Sequence, residues 1–163
     1  MTDPTPPVSH VPSNGVPAPA IDAGAIIAAI GGITVALSSW LAWLSGADGS
    51  PSATAYDGPA WFLIDHRATR AGLSLGVLAL VVGTIVLVGA VVRGLGMLAL
   101  IGGLLALLIV LLFTYQLTRA VNDFNEIPGV DVSITDFMGF GLLVALIGAV
   151  LAIIGGYLSI QRI

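Results

Sequence analysis

Four uncharged apolar runs, separated by short polar breaks, dominate this chain. The runs extend from Gly24 to Leu44, Ala71 to Val92, Leu95 to Tyr115, and about residue 137 to residue 158. Each holds about 20 residues, enough for a helix rising 1.5 Å per residue to cross a hydrocarbon core of about 30 Å. The pattern predicts an all-α membrane protein, a four-transmembrane-helix bundle with short loops, over residues 23–163. Arg93-Gly94 separates the second run from the third, so those two helices are expected to form a tight antiparallel hairpin. Trp40 and Trp43 close the first run as an interfacial aromatic pair, and Asp136 is the expected N-cap of the last helix.

Ahead of these runs, residues 1–22 hold six prolines and no basic residue, a composition with too little apolar surface to fold. This segment reads as a disordered Pro-rich tail. Ala53-Thr54-Ala55 has the look of a leader-cleavage site. The preceding run is too long for a leader's apolar core and its flank lacks positive charge, so an uncleaved anchor is expected. In the first loop, Asp57-Gly58-Pro59 suggests the start of a short interfacial helix reaching Arg67, with Trp61 at headgroup depth.

Within the runs, small residues recur every three or four positions. Gly72, Gly76, Ala79 and Gly83 form one such face in the second run, and Gly141, Ala145, Gly148, Ala152 and Gly156 another in the last. Lipid tails are as apolar as leucine, so helix association in a bilayer depends on close packing of small residues. These positions are the expected packing seams, turned either to the interior of the bundle or to a second membrane protein or a second copy.

Composition narrows the function further. The chain is 57% hydrophobic and 9% charged, with mean hydropathy +1.06, against roughly 25% charged residues in soluble domains. Five arginines, no lysine and nine acids leave a net charge of −4, which excludes the basic patch that nucleic-acid binding needs. Cysteine is absent, so disulfides and thiolate metal sites are absent too. Richness in Ala, Val and Gly without Lys or Cys resembles proteins of high-GC bacteria. The loops between the first and second runs and between the third and fourth carry seven of the nine acids, while Arg93 and Arg162 stand opposite without neighbouring acids. That distribution places both termini in the cytoplasm of a multi-pass protein of the cell membrane.

No ionisable residue and no proline lies inside any run, so proton relays and broken substrate-binding helices are not signalled. His66 meets Asp65, Arg67 and Arg70 in the first loop, a cluster suited to interfacial anchoring or to contact with lipid or a partner, alongside Trp61. No nucleophile accompanies it. Asp123, Glu126 and Asp131 lack the spacing of a calcium loop and read as a solvated acidic turn. The expectation is a non-enzymatic protein without cofactor or metal, an accessory or scaffold subunit docking onto a larger membrane complex. The alternative is a small oligomeric transporter or channel for a neutral or weakly polar solute.

Overall fold

A computed structural model describes residues 22–46, 52–67, 72–92 and 95–161. The expected tail, Arg70, and the arginines at 93 and 162 thus lie outside the described residues, apart from Asp22. The described chain is mostly helical. Its elements are α1 (Ala23–Ser38), β1 (Ala42–Leu44), β2 (Ala53–Thr54), one turn of 3-10 helix (Ala60–Leu63), α2 (Leu75–Val91), α3 (Gly96–Asn125), α4 (Ile134–Phe137) and α5 (Phe140–Ile160). Two of these helices, α3 and α5, are long and apolar enough to cross a membrane by length and composition; α1 and α2 are shorter apolar helices.

Local chemistry sets each helix start and stop, and it moves several boundaries from those expected. Asp22 caps α1 by accepting the Gly24 amide at 2.9 Å. The helix ends at Ser38, well short of Leu44. Ser38 and Ser39 turn their hydroxyls back to the Val35 and Ala36 carbonyls at 2.7 Å each, and the chain bends into β1. Ser74 caps α2 through the Val77 amide, so that helix starts at Leu75 rather than residue 71 and leaves Gly72 outside it. Ser133, not Asp136, caps the chain entering α4; Asp136 is the third residue of that turn and accepts the Ser133 amide at 2.8 Å. Helix α5 then begins separately, after Gly139. The largest difference is in α3, which continues ten residues past Tyr115, because Phe113, Leu117 and Val121 keep an apolar stripe at helical spacing and are all buried.

The four long helices pack as a ring: α1 lies against α5 and α2, and α3 against the same two. The core they enclose mixes small and large side chains: Ala28, Ala79, Ala99, Ala106, Ala145, Ala149 and Ala152 are buried together with Leu75, Val82, Val86, Ile109, Phe113, Leu117 and Leu142, while Ile26, Ile30, Ile33 and Leu37 of α1 and Leu143, Ile147, Val150 and Ile154 of α5 face outward. Bulky apolar side chains thus cover the outer faces of α1 and α5, whereas a water-soluble helical protein sets charged and polar groups there. At the centre remains a void of about 10 Å3 lined by Val35, Trp43, Ala79, Val82, Ala106, Ile109, Val110 and Ala145.

Over one end of the ring the loops form a knitted cap. β1 pairs antiparallel with β2, and Leu44 also bridges to Met138. Gly139 donates to the Trp43 carbonyl at 2.8 Å and Ser45 to that of Phe137 at 2.9 Å, which binds the first loop to the last. Trp43 drops from this cap into the mouth of the ring, 1% exposed, its indole N–H on the Ser38 carbonyl and its ring edge-on to Phe113.

Candidate functional site

The small residues expected to form seams resolve into several different contacts. A Cβ added at Gly83 would lie 2.7 Å from the Gly32 carbonyl oxygen and 2.8 Å from the Ala36 nitrogen, so α1 and α2 approach backbone to backbone there. On α5, Gly148 meets Val35 and Gly31 of α1, Gly156 meets Leu100 of α3, and Gly141 meets Ala42 and Trp43 of the cap. Ala79, Ala145 and Ala152 are buried between them. Gly76 packs under the ring of Tyr56, a loop residue, rather than directly against the backbone of another helix. Gly72 is exposed beside the Trp61 ring and belongs to no seam. The tightest pairing, α1 with α5, also uses Gly31 and Gly155, both outside the expected set.

The polar cluster of the first loop is drawn onto the extended end of α3. His66 Nε2 lies 2.8 Å from Asp123 Oδ2, and because a carboxylate only accepts, Nε2 carries the proton. Arg67 donates to the same oxygen from Nη2 at 2.6 Å and Nε at 3.1 Å. Two turns of helix lower, Gln116, 4% exposed, donates to the Leu63 and Ile64 carbonyls and so pins the 3-10 turn. Position 116 and position 123 are seven apart, two turns along one face of α3. His66 Nδ1 and Gln116 Oε1 are buried without a hydrogen-bond partner among the described residues.

The sites therefore differ from the expected grouping. Trp61 stands exposed on the 3-10 turn, His66 is 93% buried by its 7% side-chain exposure, and Arg67 is 74% exposed but committed to Asp123. Asp123 is a helix residue with two partners, not part of a solvated turn. Neither Asp123 nor Gln116 stood out as a partner of the loop. The signal was present in the spacing of Gln116, Ala120 and Asp123, which continues one helical face beyond the apolar run. The three residues His66, Arg67 and Asp123, with Ala120, Phe124 and Ile127, line a cleft of about 280 Å3 at this end of the molecule. Among the described residues, no group of three or more histidines and acids comes together to hold a metal ion.

The hydrogen bonds from Arg67 and then from His66 hold the Asp123 carboxyl below the usual carboxylate range, and Asp123 in turn raises the Arg67 guanidinium. Thr54, through its hydroxyl and its amide, lowers Asp57 in the same way. A depressed carboxylate stabilises the fold above its unfolded pKa, about 3.9, and that contribution disappears as the pH falls through the lower folded value. The protection of the amides of residues 60–67 against hydrogen exchange, taken relative to the intrinsic rate at each pH, is accordingly expected to be high and constant near neutrality and to fall below about pH 4. In Asp123→Ala that protection is expected to be low already at neutral pH. Unchanged exchange in that variant would show that the ion pair does not hold the loop.

No protein-family model, curated protein or solved structure matches this chain, so its function is read from the geometry above.

Proposed function

We propose that the chain is a multi-pass integral membrane protein whose four long helices all cross the bilayer, and that it acts as a non-enzymatic accessory or scaffold subunit docking onto a larger membrane complex. The bulky outward faces of α1 and α5 and the small residues at the helix contacts support the membrane assignment. At 16 and 17 residues, α1 and α2 measure about 24–26 Å. A bilayer accommodates that shortfall by local thinning at fractions of a kcal/mol per Å. The capped end, rich in acids, is placed outside and both termini in the cytoplasm.

The observation that carries the subunit reading is the closed interior. Glycine-to-backbone packing and Trp43 leave, among the described residues, a central void of about 10 Å3, the size of one water, which favours a packed bundle over a conduit. What the described residues present instead is a hydrogen-bonded cap with a cleft. His66, which would be the natural base, has its Nε2 proton directed at Asp123, and among the described residues no hydroxyl is bonded to it.

The test is recovery of the tagged protein from native membranes in a mild detergent. Stoichiometric co-purification of another membrane protein is the expected result. Recovery of the chain alone, together with solute flux in reconstituted vesicles, would favour a pore between copies and overturn the proposal. In intact cells, Val130→Cys is expected to react with an impermeant thiol reagent; protection there, with labelling at the chain ends, would reverse the orientation.

A further inference from the structure

The cleft beside Asp123 has two walls of different character. On one side Arg67 and His66 converge on Asp123; on the other stand Phe124 and Ile127, 52% and 51% exposed. Phe124 lies nine residues beyond Tyr115, about 13 Å further along the helix axis, and so past the hydrocarbon if the third apolar run ends at Tyr115 as its sequence suggests. Phe124, stacked on Phe137 with ring centroids 6.5 Å apart, and Ile127 keep about half of their surface exposed there, an apolar face suited to interaction.

Charge chooses the partner. The described loops and the end of α3 at this end carry Asp57, Asp65, Asp123, Glu126, Asp131 and Asp136 against Arg67 and Arg119 alone. Around the cleft, the fields of Asp123, Asp65 and Glu126 all act on Arg67, whose guanidinium is already bonded to the first of them. The local surplus is negative. Anionic headgroups are repelled, and a cation carrying an apolar neighbour is complementary on both walls.

We infer that this cleft is the docking surface for a basic segment of a partner protein, with a Lys or Arg drawn by Asp123 in its wall and by Glu126 beside it, and an adjacent apolar side chain on Phe124 and Ile127. The inference rests on the docking-subunit reading and specifies where and how the partner is held.

The full chain in phosphatidylcholine nanodiscs is titrated into a fluorescein-labelled Leu-Arg-Phe-Arg peptide amide, read by fluorescence polarisation. Two comparison peptides carry glutamate for both arginines, or glycine for both apolar residues. The basic apolar peptide is expected to bind about tenfold more tightly than either comparison peptide, and more weakly as salt rises. Phe124→Ala combined with Glu126→Gln is expected to weaken it about tenfold, and Ile127→Ser alone to weaken it as well, while Asp131→Asn, an acid outside the cleft, changes it less than about twofold. Equal binding of the glutamate peptide would overturn the inference. So would Asp131→Asn matching the cleft variants, or both cleft variants leaving affinity unchanged. Partner recovery from native membranes with no peptide binding at the cleft would remove this inference and leave the subunit reading standing. Cleft-mapped peptide binding without any recovered partner would do the reverse.

Discussion

Alanine at Trp43 is expected to cost about 3–5 kcal/mol and to unlatch the cap from the helix ring. Trp43 is the largest fully buried side chain, it packs edge-on to Phe113 with ring centroids 5.3 Å apart, and it already borders the central void. Removing the indole therefore enlarges a cavity that cannot collapse, because backbone contacts between glycines fix the helices around it. Trp43→Phe separates two contributions. It keeps most of the ring volume but removes the 2.8 Å indole bond to the Ser38 carbonyl, which keeps the Leu41 amide at 3.1 Å, at about 0.5–1.5 kcal/mol. Thermal unfolding in detergent should rank wild type above Trp43→Phe and Trp43→Phe above Trp43→Ala. A Trp43→Ala protein as stable as wild type would mean that the indole does not plug the ring.

The second large effect lies in the α1–α5 and α1–α2 seams. Leucine at Gly155 must displace Ala28 and the Gly24 carbonyl oxygen, the latter 2.6 Å from where its Cβ would sit, and leucine at Gly83 meets the Gly32 carbonyl oxygen at 2.7 Å. In both cases the obstacle is main chain, which cannot rotate away as a side-chain tip can. Each substitution is expected to destabilise by about 1–3 kcal/mol or to separate the helices, while insertion, which depends on hydropathy, is unaffected. Val150→Leu, on the outward face of α5, is the matched control. Ile85 would be a poor one, since its Cγ2 lies 3.4 Å from a Cβ placed at Gly102 on α3. If Gly155→Leu and Gly83→Leu unfold at the temperature of the Val150 variant, the seams are not close-packed. Gly76→Leu tests a different contact: it strikes the Tyr56 ring, and its effect should be confined to the first loop.

Both effects trace to features that the sequence revealed unequally. The helical nature of the chain and its small-residue faces follow from hydropathy and from three- and four-residue spacing alone, because those are properties of single helices. Asp22 and Ser74 are local caps too, each acting within three residues, yet the apolar pattern alone leaves the first in the tail and the second inside a helix starting at residue 71. The early end of α1 was hidden, since Ser38 through Leu41 are compatible with a continuing helix, and only the docking of Trp43 and the pairing of β1 with β2 favour the bend. The length of α3 was obscured by Gln116, whose polarity suggests a loop until its amide is seen bonded to the Leu63 and Ile64 carbonyls more than 50 residues away. The assignment of Gly83 to α1, Gly156 to α3 and Gly76 to Tyr56 depends on which helix lies beside which, and spacing within one helix carries no information about its neighbours. The ion pair of Arg67 with Asp123 is of the same kind: its two residues are 56 apart, and only the return of the first loop onto α3 brings the charges together. The sequence by itself determined which segments are helical and which faces can approach closely; the tertiary structure decided the partners, because contacts between distant segments exist only once the chain has packed.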